Sequence, residues 1–150
     1  MSIFQTIDGF LGTEATVGSD LALALSWVFW VIAGVGAING RRRRFSKHCP
    51  VMTASAFLNW IPVLIVMIPA WLSTLTSGGQ SSTGLQALAP VGHGILGAVT
   101  QLLMTYTVSR MQWFEDLPPE EPIWLMRITT GLWTLTVLGG TLVYLTLYVL

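Results

Sequence analysis

Charge is the scarcest property of this sequence. Of 150 residues only 9% are Asp, Glu, Lys or Arg, where a soluble domain carries about 25%. A chain so poor in charge cannot cover a water-facing surface. With 53% hydrophobic residues and a mean hydropathy of +0.67, it reads as a polytopic membrane protein of one small bundle. Cysteine is nearly absent too. The single Cys49 excludes an internal disulfide and any Cys-x-x-Cys pair. The first twenty residues hold no Lys or Arg, so no cleavable signal peptide is expected. No Gly-rich phosphate loop follows a strand, and no Ser/His/Asp set can be assembled. No carboxylate falls inside the apolar runs, which argues against a transporter or proton relay.

What charge there is has a pattern. Arg41-Arg42-Arg43-Arg44-Phe45-Ser46-Lys47-His48 holds five of the seven basic residues between two long apolar runs. Arg110 and Arg127, the other two, flank the only other loop on the same side. Basic clusters stay cytoplasmic because they are costly to translocate. The five are also candidates to hold anionic lipid head groups. Nucleic acid is a poor partner for so short a run locked between spans.

Roughly twenty apolar residues cross ~30 Å of hydrocarbon. Four runs suffice: Leu21 to Asn39, Pro50 to Leu75, Gln86 to Arg110 and Ile123 to Leu150. Ala33, Gly36, Ala37 and Gly40 give the first span a small face for close helix contact. Pro50 suits the first turn of the second span; Pro62 and Pro69 lie inside it and should disturb its hydrogen bonds. Asn59, near mid-depth, needs a partner on another helix. Trp27 and Trp30 read as packing or interface residues. Before the spans, Ile3, Phe4, Ile7, Phe10 and Leu11 recur at helical spacing. This predicts a short amphipathic helix over residues 2–18 lying in the interface, closed by Glu14, Gly18 and Asp20. Residues 76–84 form an uncharged Gly/Ser-rich outer loop and 111–122 an acidic inner one. The expected fold is an all-α, up-and-down antiparallel four-helix transmembrane bundle in a cell inner membrane, with both termini outside.

Three blocks resemble a known family. The first is His48-x-x-x-Met52-x-x-x-Ala56-Phe57-Leu58. The second is Gly92-His93-x-Ile95-Leu96-Gly97. The third is Arg127-x-Thr129-x-x-Leu132-Trp133 followed by Gly139-Gly140-x-x-Val143-Tyr144-Leu145-x-Leu147-Tyr148. Together they resemble the membrane family called domain of unknown function 420, the YozB/CtaM type, over roughly spans two to four. Two further histidines of that pattern are replaced here, within Pro69-Ala70-Trp71-Leu72 and Leu117-Pro118-Pro119-Glu120. The resemblance implies a role in maturation of haem–copper terminal oxidases: an assembly factor or accessory subunit whose partners are other transmembrane subunits.

Chemistry in this chain would centre on its two histidines. His48 starts an inward end and His93 lies a few residues below the outer surface. They are thus on the order of 20–25 Å apart along the membrane normal at 1.5 Å per residue, and cannot share one haem. His93 has Met67 and Tyr144 at similar depth, a candidate haem or copper layer. His48, Cys49 and Met52 cluster at the inner layer, with His48 and Met52 one helical turn apart. All three are competent ligands for copper(I), beside five positive charges that disfavour a cation. The bland alternatives are a hydrogen-bonded histidine, methionines that fill gaps and a small buried thiol. No cofactor is expected in the leading reading, a non-catalytic accessory or assembly protein. The alternative is a haem- or copper-binding electron-transfer protein using His93.

Overall fold

The computed structural model describes residues 7–76, 85–113 and 121–150. It contains α1 (Val17–Arg41), α2 (Phe45–Leu58), α3 (Trp60–Pro62), a π-helical turn (Val63–Met67), α4 (Ile68–Thr76), α5 (Leu85–Trp113) and α6 (Glu121–Tyr148). α2 to α4 run on as one rod. Four rods result, each long and apolar enough to cross a membrane. α1 packs on α2 and α6, and α5 packs on the same two, closing an all-α four-helix bundle.

The helix ends follow from local chemistry. Thr16 caps α1, its hydroxyl accepting from the Ser19 N–H at 3.4 Å. Gly18 and Asp20 therefore lie inside α1 and do not precede it. Arg42 to Arg44 reverse the chain, with Arg43 in the left-handed region at φ 55°. The Arg43 and Arg44 N–H groups bond the carbonyls of Gly40 and Asn39, each at 2.9 Å. α2 starts at Phe45, so Pro50 lies a turn past the helix start and not in its first turn. The disturbance expected of Pro62 and Pro69 takes the form of the wide turn Val63–Met67 between them. There the Ile68 N–H reaches back five residues to the Val63 carbonyl.

Phe29, Ala33, Ala56, Met104, Val108, Trp133 and Val137 form the core. Around it, polar groups pair across helices. Asn59 Nδ2 donates to Gln101 Oε1 at 2.7 Å, and Gln101 Nε2 donates to the Ala56 carbonyl at 3.0 Å. Trp27 and Trp30 donate to Thr141 (3.1 Å) and Thr134 (3.0 Å) on α6. Trp60 donates to Thr105 at 2.9 Å. Each of these threonines also donates its own hydroxyl proton to the carbonyl four residues earlier. The small face of α1 does what its composition suggests: Gly36 takes the Met52 sulfur and Gly40 the His48 ring.

The N-terminal segment departs from expectation. Residues 7–16 are not the amphipathic helix predicted over 2–18; residues 1–6 lie outside the described part. Asp8 and Thr16 instead form an antiparallel bridge, Val17 N–H bonds the Ile7 carbonyl and Gly9 N–H bonds the Ala15 carbonyl. Asp20 is the cause. Its Oδ2 accepts from the backbone N–H groups of Phe10 (2.7 Å) and Leu11 (2.8 Å), which a helix would have spent on its own carbonyls. Gly9 has no Cβ, and one there would collide with that carboxylate; Gly12 turns the chain at φ 73°. Tyr144 donates to Asp20 Oδ1 at 2.6 Å and meets the Thr13 hydroxyl at 2.6 Å. Asp20 is 0% exposed, so a carboxylate does lie inside the bundle, at the end of α1 where the helix dipole favours it.

Asp20→Ala is expected to lower stability by about 2 kcal/mol, the scale of hydrogen bonds to a charged acceptor. It should also speed proteolysis within residues 7–16. Tyr144→Phe should cost about 1 kcal/mol. Detergent-micelle unfolding and limited proteolysis check both; an unchanged Asp20→Ala protein would refute the account.

Candidate functional site

At one end of the bundle lies the basic turn. Arg41, Arg42, Arg43, Arg44 and Lys47 are all exposed, free to face lipid head groups. Immediately beyond, His48 turns inward and is buried. Its Nδ1 lies 2.8 Å from the Gly36 carbonyl. A carbonyl only accepts, so Nδ1 is the donor, and in the neutral imidazole the lone pair is then on Nε2. Cys49, beside it, is exposed. Met52 is half-buried, and its sulfur reaches Gly36, the residue whose carbonyl holds His48. The sequence-predicted trio His48, Cys49 and Met52 is therefore brought together, and all three line one cleft of about 50 Å³. The other walls come from α5 and α6: Met104, Met111 and Met126 among them. Sequence reading missed these three. Their one signal was count: with Met52, they make four of the chain's six methionines.

Near the other end, His93 lies on α5 with its ring against Gly139 and Gly140 of α6. Gly140 is one turn from Tyr144. The Tyr144 hydroxyl, however, is engaged by Asp20 and Thr13. Met67 is half-buried in the π-helical turn, one turn before Trp71. The Trp71 indole in turn packs against Gly94 through its Cδ1 and Nε1 atoms. The glycines near His93 do admit flat rings, but those rings belong to this chain: a Cβ at Gly94 would strike Trp71, and one at Gly140 would strike His93 itself. That packing fills the surfaces of Gly94 and Gly140 beside His93. The His93 Nδ1 and Trp71 Nε1 atoms are buried without a hydrogen-bond partner.

The two histidines stand at different levels. His48 packs on Gly36 and Gly40, while Gly140 neighbours Thr141, which Trp27 bonds. Roughly ten residues of α1, about 15 Å at 1.5 Å per residue, separate these levels. No group of three or more His, Cys, Asp or Glu side chains gathers among the described residues.

The purified protein is expected to show no Soret band in a reduced-minus-oxidised spectrum. A Soret band abolished by His93→Ala would overturn the packing argument. Comparison with family models, with curated proteins and with solved structures finds no match.

Proposed function

We propose that this protein is a non-catalytic component of a large membrane complex: an accessory subunit or assembly factor, in first place for a respiratory complex of the haem–copper oxidase kind. The observation that carries the non-catalytic part is how the interior spends its polar groups. The Asn59–Gln101 pair, the three Trp–Thr bonds and the Thr100–Thr136 and Thr107–Thr129 contacts tie helix to helix. Such pairs are glue between helices in lipid. The buried carboxylate, Asp20, anchors backbone and is not set along a path. The respiratory assignment rests on the sequence resemblance in spans two to four. Outside the core, every rod offers long apolar faces, such as Val28, Val31, Ile32 and Val35 on α1. They suit lipid or the helices of partner subunits.

In this reading the protein sits in the cell inner membrane with its basic loop cytoplasmic and both termini outside. The basic loop rests on anionic head groups there. A second reading, electron transfer through haem or copper at His93, has one observation in its favour, the unpartnered buried Nδ1 of that residue.

Deleting the protein from its source cell is expected to lower assembled terminal oxidase several-fold, read as oxidase haem absorbance and oxygen uptake, with the oxidase subunits still synthesised. Unchanged oxidase would remove the respiratory reading. Single cysteines placed in 76–84 should label from outside the cell, and those in 111–121 only after permeabilisation. The reverse pattern would invert the topology.

A further inference from the structure

The cleft behind the basic turn has a chemistry that helix packing does not need. Its lining residues include four methionines (Met52, Met104, Met111 and Met126), one histidine and one cysteine. They come from three rods: α2, α5 and α6. Met104 is buried, and the other three are half-buried. The imidazole is already set as a ligand would be. The Gly36 carbonyl fixes its Nδ1 proton, the arrangement that orients metal-bound histidines. Its Nδ1 and Cε1 atoms abut Gly40 on α1. Among the described residues, no carboxylate lines the cleft.

We propose that this cleft binds a single copper(I) ion. Thioether, thiolate and imidazole donors select a soft monovalent ion; magnesium and calcium require oxygen ligands, and zinc favours thiolate, imidazole and carboxylate over thioether. A volume of about 50 Å³ is room enough for an ion. The neighbouring positive charges are met by Cys49. Copper(I) displaces the thiol proton, which passes to solvent, and the resulting copper–thiolate pair is neutral. No electron moves in this step. Cys49 is exposed and forms the natural entry point, with the methionines behind it. The site goes beyond the docking role and does not depend on it: an isolated bundle can hold the ion, and a docking protein can lack it.

The test uses the full chain in detergent micelles, anaerobic, with ascorbate-reduced copper titrated against the chelator bicinchoninate. One copper(I) per chain is expected, with sulfur and nitrogen neighbours in X-ray absorption. Met104→Leu combined with Met126→Leu removes two thioethers at nearly constant volume, and should weaken binding about tenfold or more. Cys49→Ser, at an exposed position, should do likewise, and serves if the double variant does not elute as a folded protein. Met67→Leu, outside the cleft, should bind as the parent does. No competition with bicinchoninate, or equal affinity in the parent, the Cys49→Ser and the folded double-leucine proteins, would overturn the site.

Discussion

A polar group in hydrocarbon has no water to turn to, so each must find its partner inside the protein. The interior of this bundle is arranged around that constraint. Threonine is the device that meets it. A threonine on α6 gives its proton to its own helix and keeps a lone pair for an indole on α1, as Thr134 does for Trp30 and Thr141 for Trp27. Both groups are satisfied, and the rotation of α1 against α6 is set in the same stroke. Asn59 and Gln101 do the equivalent for the second and third rods. Asn59 also shows the limit of the scheme, since its Oδ1 stays buried and unpaired.

The two ends of the bundle solve different problems. At the α1 N-terminus a buried carboxylate collects two backbone N–H groups and a phenol, and so draws residues 7–16 over the helix ends. At the opposite end the α1–α2 turn is short and charged, and α2, α5 and α6 leave a cleft behind it. One end is closed by hydrogen bonds to a hard anion. The other is left partly open and lined with soft sulfur. A protein that only packed against neighbours would have reason for the first arrangement; the second adds a ligand set.

Much of the fold was legible in the residues. Four apolar runs longer than the hydrocarbon slab, separated by polar turns, leave a chain few choices but to cross four times. Asn59's need of a partner could be read from its depth, though the partner's identity could not. The N-terminal segment misled because Ile7, Phe10 and Leu11 keep helical spacing, and periodicity cannot register a carboxylate ten residues on that competes for the same N–H groups. Pro50 misled because the helix began earlier than the charge pattern suggested, with Lys47 already inside it.

The candidate site divides along the same line. His48, Cys49 and Met52 lie within one turn or so of a single helix, and local spacing alone places them together. Met104, Met111 and Met126 are distant in sequence and belong to no motif. Their convergence depends on which faces of α5 and α6 turn inward. Composition and hydropathy by themselves determined that this chain is a four-helix membrane bundle, because the cost of burying charge and exposing backbone in lipid is local and additive. Only the tertiary structure decided that Asp20 anchors the N-terminal segment, that Trp71 packs on Gly94 and His93 on Gly140, and that four methionines share one cleft. Helix rotation and register are set by contacts between segments, and no single segment encodes them.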